Sequence, residues 1–240
     1  MATARFRQTI SLLDASYALP KEPRLRGPFE RVLFECAAYL VDDARRLETF
    51  RSLDAAVGTD PAAILSAPKE EIEKAIAGGG MQPARRAEKV REAARIAKED
   101  LGGNVASVLV LPFREARARL ALFPGIGAPG AEKILLFERS HKVLALESNG
   151  LRVLVRLGIA AEKKSYAATY RSAQEAAGDV SRDPFPFLVA AHRLLRFHGQ
   201  ATCKASRPLC DACPLARRCP FPAAAQPPPP SSPSAARRRR

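Results

Sequence analysis

Four of the chain's five cysteines fall in one stretch, HGQATCKASRPLCDACPLARRC, where Cys203, Cys210, Cys213 and Cys219 follow a C-x6-C-x2-C-x5-C spacing. Thiolates so spaced fold into one compact loop around a single metal centre. A disulfide framework fits poorly, because the opening MATARFRQTISLLDASY has no secretory pattern and cysteines are otherwise scarce. Zinc is one candidate, since structural zinc sites commonly use four thiolates. Ribbon-type zinc sites pair two distant C-x2-C knuckles, however, and this run has one close pair. A cubane iron–sulfur cluster suits four separately spaced thiolates. Just ahead, His198 and Gly199 read as the end of a helix, with glycine at C′ and the imidazole favouring the dipole in the last turn.

A second chemical feature is FPGIGAPGAEKILLF. Gly125 and Gly127, flanking Ile126, allow a tight turn between two helices and bring backbone N–H groups to the surface. At a helix N-terminus such donors make a phosphate seat. Ile126, Ala131, Ile134 and Leu135 supply the apolar contacts that a helix-hairpin-helix needs, and such a hairpin grips a nucleic-acid backbone without reading sequence.

The balance of charge agrees. Lysine and arginine number 39 against 25 acids, for a formal charge of +14 and a pI near 10.1. Setting aside Arg237 to Arg240 still leaves about +10, an excess that favours a polyanion. Tryptophan is absent and aromatics are 6%, which argues against a single-strand binder built on stacking platforms. No apolar run is long enough to span a bilayer, so a reducing, cytoplasmic setting is expected.

The elements that must hold these residues read as helices. Ile10, Leu12, Leu13 and Tyr17 suggest a short amphipathic one. Phe29, Val32, Leu33, Cys36, Ala37 and Leu40 recur at helical spacing, which makes Cys36 a buried small hydrophobe. Asp60-Pro61 starts a helix, Lys69 to Glu73 starts another, and Gly78-Gly79-Gly80 breaks it. Arg86 to Leu101 reads as a long helix whose cationic side chains form a solvated face. Val105 to Leu111 fits strand or helix, Arg114 to Phe123 is helical, and Lys163 to Ala177 and Phe185 to Phe197 lead to the cysteine loop. From Pro222 onward the chain is proline, alanine and serine ending in four arginines, a basic tail expected to be disordered.

The cysteine spacing, with His198 and Gly199 ahead of it, resembles the [4Fe-4S] loop of the endonuclease III family of DNA repair glycosylases, in the helix-hairpin-helix superfamily. PFERVLFECAAYLVDD resembles the first helix of that family's barrel. The family's glutamine, which enters the duplex beside the extruded base, is here Leu40, an apolar wedge by nature; Asp43 matches the closing aspartate. The lysine that in strand-cleaving members attacks the sugar C1′ is replaced by Pro129, and Lys133 lies one helical turn onward. HKVLALESNGLRVLVRLGI resembles the segment V-D-T-H-x-x-R-V-x-x-R-L-G. That match puts Glu147 at the catalytic aspartate, Ser148 at the threonine and Asn149 at the histidine, with Arg152, Val153, Arg156, Leu157 and Gly158 in register. Glu147 reads equally well as an acid at a helix start, with Ser148 or Asn149 as cap.

The resemblance, covering about residues 28 to 221, implies an all-α, two-domain fold. A six-helix barrel with the hairpin would span 28–140, an iron–sulfur cluster domain 1–27 and 141–221, and the tail 222–240. It implies a base-excision DNA glycosylase acting as a monomer on double-stranded DNA, with one nucleotide flipped out. Lacking the lyase lysine, such an enzyme would be monofunctional, with Glu147 as its carboxylate. Gly125, Ile126, Gly127 and Leu40 would touch DNA, and Cys203, Cys210, Cys213 and Cys219 would hold a [4Fe-4S] cluster presenting Lys204, Arg207, Arg217 and Arg218 to phosphates. The alternative is a relative that binds damaged or bent duplex without cutting.

Overall fold

A computed structural model describes residues 2–221; the basic tail lies outside the described residues. In chain order the α-helices are α1 (Ala2–Ser16), α2 (Pro28–Cys36), α3 (Asp43–Ala56), α4 (Pro61–Ser66), α5 (Lys69–Ala75), α6 (Pro83–Arg95), α7 (Phe113–Leu120), α8 (Ala128–Phe137), α9 (Ser148–Arg156), α10 (Tyr166–Ala177) and α11 (Phe185–Ala201). The fold is all-α. Among the described residues no helix is long and apolar enough to cross a membrane.

Local chemistry explains many helix starts. Proline lies in the first turn of α2, α4, α6 and α8, where its missing N–H costs nothing. Asp42 caps α3 by accepting from the Arg45 N–H at 2.8 Å, Asp60 caps α4 through Ala62 at 2.8 Å, and Ser165 caps α10 through Ala168 at 3.2 Å. The stretch Val105–Val110 is a 3-10 helix.

Three expectations are corrected. The helix read as Arg86 to Leu101 is α6, beginning at Pro83 and unwinding into a π turn over Ile96–Asp100. Its cationic face is not all solvated, because Arg86 is buried. Gly199 is not the residue that follows a helix, because α11 continues to Ala201; His198 does stand in the last turn as read, but buried there.

The chain divides into two compact units. One comprises Pro20–Ala145 and Val180–Val189; the other comprises the chain up to Leu19, Leu146–Asp179 and the chain from Ala190. The first, the hairpin unit, buries a continuous core from α2 to α8 in which Leu33, Leu53, Ile72, Val90, Leu120 and Ile134 are almost wholly covered. Cys36 lies in that core as expected. The second, the cysteine unit, contains α1, α9, α10 and the latter part of α11. Here Arg5 donates to the Leu157 carbonyl at 2.6 Å at the end of α9, where a cation offsets the helix dipole.

Candidate functional site

In the hairpin unit, α7 and α8 are joined by the turn around Gly125 and Gly127. Phe123 and Ile126 anchor it in the core, and the Cys36 thiol donates to the Pro124 carbonyl at 3.2 Å. Gly125 has φ +82, a conformation that glycine adopts freely. Its bare Cα also lets Lys89 approach, since a Cβ there would lie 3.3 Å from Lys89 Nζ. Gly125 and Gly127 are exposed. The Ile126 side chain is buried, and its N–H donates to the Phe123 carbonyl at 3.0 Å. The donors left to a phosphate are therefore those around the two glycines and in the first turn of α8, which has no partners within its own helix.

Pro129 lies in that first turn. Lys133, one turn on, forms an ion pair with Glu35, Nζ to Oε1 2.5 Å, with both side chains largely covered. That carboxylate engages the amine, which would have to leave it before it could attack a sugar.

Leu40 is neither core nor helical. It is 73% exposed, in a left-handed conformation at φ +56, on the loop between α2 and α3. That loop pairs with the one before α6: Tyr39 and Gly80 form a parallel bridge, with the Tyr39 N–H donating to the Gly79 carbonyl at 2.8 Å. Tyr39 and Met81 are exposed as well, at 57% and 61%. The two loops thus share an apolar tip, of which the sequence revealed only Leu40. The glycine break at 78–80 was the available signal, because bare glycines allow two backbones to meet.

In the cysteine unit, Glu147 is itself the cap of α9, in place of the expected Ser148 or Asn149. Its Oε1 accepts from the Gly150 N–H at 2.8 Å and its Oε2 from Asn149 Nδ2 at 2.7 Å. The carboxylate is fixed by two donors yet half-exposed. Asn149 Oδ1 accepts in turn from Arg152 at 2.8 Å, and Arg152 also donates to the Cys203 carbonyl at 3.1 Å and the Gly199 carbonyl at 2.8 Å. Gly199 makes this packing possible: a Cβ on it would lie 2.6 Å from the Asn149 carbonyl oxygen. Tyr170, on α10, accepts from the Leu146 N–H at 3.2 Å. Tyr166 is 47% exposed; the partial burial that remains, and then the charge of Glu147, push its hydroxyl pKa up.

Cys203, Cys210, Cys213 and Cys219 are free thiols lining one cavity of about 230 Å³, together with Val153, Arg156, Leu157 and His198. Among the described residues no three His, Cys, Asp or Glu side chains converge to hold a single metal ion. The donor set nonetheless suits a cationic centre bound by all four sulfurs. Burial pushes the Cys210 and Cys213 thiols up, and the neighbouring cysteines push them further; positive charge in the cavity would relieve both effects. Arg156 lies 3.4 Å from Cys203 Sγ, donates to the Lys204 and Ala205 carbonyls at 2.7 and 2.9 Å, and covers the Phe221 ring at 4.5 Å. Burial drops the His198 imidazole to about 4, so it is neutral, with Nδ1 2.7 Å from the Tyr17 hydroxyl and Nε2 3.7 Å from Cys213 Sγ. Lys204, Arg207, Arg217 and Arg218 are exposed, and Arg218 reaches back to Gln8.

No family model matches the chain. It is 28% identical to endonuclease III of Bacillus subtilis (strain 168) over 159 residues, about two thirds of each protein. It is 27% identical to endonuclease III of Sulfolobus acidocaldarius over 203 residues, 82% of this chain and 84% of that protein. Among solved structures, a trapped covalent intermediate of endonuclease III with DNA superposes with a TM-score of 0.71 at 21% identity, covering 91% of this chain and 96% of that one. The hairpin, the four-cysteine loop and the all-α fold agree with these likenesses, and the chain is similar to endonuclease III in sequence and in fold.

Proposed function

We propose that the protein is a base-excision DNA glycosylase of the endonuclease III type, monofunctional, which hydrolyses the N-glycosidic bond of a flipped-out nucleotide in double-stranded DNA. The observation that carries the reading is the Glu147 carboxylate, pinned at 2.8 and 2.7 Å by two donors and still open to solvent. Such a group stabilises the positive charge that grows on the sugar as the base departs, and it needs no reorganisation to do so. Gly125, Gly127 and the start of α8 seat a phosphate, with Ile126 contributing packing. Leu40 enters the stack where the nucleotide leaves. Lys204, Arg207, Arg217 and Arg218 draw in further phosphates. Cys203, Cys210, Cys213 and Cys219 would hold a [4Fe-4S] cluster, which when bound cross-links the loop carrying those cations. The enzyme acts as a monomer, in the cytoplasm at the nucleoid, and the hairpin and cysteine units correspond to the barrel and cluster domains of the family.

A second reading has its own support. Both Glu147 oxygens already accept hydrogen bonds, and Pro129 supplies no nucleophile, so the chain could bind damaged or bent duplex without cutting it. Duplexes carrying oxidised, deaminated, alkylated or mismatched bases, treated with alkali after incubation, separate the two. Base release that is lost in Glu147→Gln supports the enzyme. Absence of release, with binding unchanged in Glu147→Gln, supports the binder. Borohydride is expected to trap no covalent adduct; an adduct lost in Lys133→Ala would restore the lyase. Purified protein should be brown and bleach with a strong reductant, whereas a colourless zinc-loaded preparation removes the cluster.

A further inference from the structure

Beneath the tip formed by Tyr39, Leu40 and Met81 lies Arg86, 3% exposed. Its Nε donates to the Met81 carbonyl at 3.0 Å, one terminal nitrogen donates to the Ile76 carbonyl at 2.7 Å and to the Ala37 carbonyl, and the other donates to the Gly80 carbonyl at 2.8 Å. One guanidinium therefore ties the end of α2 to the loop before α6. Space around it is full, since a Cβ on Gly79 would lie 2.6 Å from both the Ala37 carbonyl oxygen and this guanidinium. Leu40 and Gln82 both hold φ +56, a conformation that bulky residues keep only when their surroundings over-determine it. Five planar donors of fixed geometry can do that, and a lysine's single nitrogen cannot.

We propose that Arg86 is a positioning residue that locks the two loops into one rigid apolar wedge, so that Tyr39, Leu40 and Met81 meet the base stack of DNA already arranged. This rests on the proposed action on duplex DNA. An ordered tip spends no binding energy on its own ordering when it separates bases.

Two measurements test it. In the free full-length protein, hydrogen exchange of the segments 37–42 and 77–82 is expected to be slow in the wild type and fast in Arg86→Lys and Arg86→Met. Fast exchange in the wild type overturns the lock even if neither variant folds. The second probe is a duplex with 2-aminopurine beside an abasic-site analogue, whose fluorescence rises when the base unstacks. Wild-type protein should raise it, and Leu40→Ala and Arg86→Lys should each lose most of the gain. For Arg86→Lys the affinity for undamaged duplex should change less than about threefold, because the phosphate contacts lie elsewhere. A full gain in folded Arg86→Lys overturns the positioning role while leaving the DNA reading intact. No gain with the wild type overturns the wedge reading and this proposal with it, even where slow exchange shows the loops to be ordered.

Discussion

At the scale of single residues, Glu147 combines two roles that different substitutions can separate. Glu147→Gln keeps an oxygen for the Gly150 N–H, so thermal melting should move little. The glycosidic step, measured under single-turnover conditions on whichever lesion is processed, should fall by about 10²- to 10³-fold. Glu147→Ala removes the cap as well, and chemical denaturation should show a loss of about 1 kcal/mol. Equal rates in wild type and Glu147→Gln would remove the carboxylate from the mechanism. Cys36 makes a contrasting case: burial pushes its thiol up to about 12, so at pH 8 it is protonated as well as covered. Iodoacetamide should leave Cys36 unmodified in the native protein and alkylate it in urea, as read by peptide mass. The sequence disclosed the cysteine set, the hairpin glycines and the segment around Glu147, because their spacing is local. It concealed Arg86, since a buried arginine on a helix rich in arginine and lysine looks like any other member of the cationic face.

At the scale of elements, what was legible followed from punctuation: Asp60-Pro61 marked the start of α4, as the glycines at 78–80 marked a break. Contacts between distant segments carry no such mark. Gly199 read as a helix end because glycine often is one. Its place inside α11 follows from the Asn149 backbone lying against it, 50 positions earlier in the chain. Gly199→Ala should therefore destabilise the protein by roughly 1–3 kcal/mol in denaturant titration. It should also slow base release by more than that loss explains, because the displaced backbone carries Asn149 and with it a donor to Glu147. A variant with wild-type stability would mean that α9 and α11 yield more easily than their packing suggests. Leu40 misled in the same way. Its helical spacing from Val32, Leu33 and Cys36 put it on the core face, whereas the bridge to Gly80 turns the chain outward just before it.

At the scale of the whole molecule, the charge of +14 sets an expectation independent of any one contact. Duplex affinity should fall steeply with salt, with a slope of log K against log salt near −0.9 for each phosphate neutralised. Deleting Arg237 to Arg240 should flatten that slope without altering which lesion is processed, and a salt-independent affinity would contradict a backbone-tracking mode. Composition alone carries that expectation, whereas the make-up of the two units depends on packing: Val180–Val189 counts with the hairpin unit although it follows α9 and α10 in sequence. Helix α1 reaches furthest along the chain. The Thr3 hydroxyl donates to the Ala176 carbonyl at 3.4 Å, Tyr17 meets His198 at 2.7 Å, and Gln8 receives Arg218. During synthesis α1 therefore lacks these partners until the chain has been made as far as Arg218, while the core of α2 to α8 can already collapse. Bulk added beside α1 would burden the assembly of the cysteine lobe, although the cysteines themselves lie far along the chain.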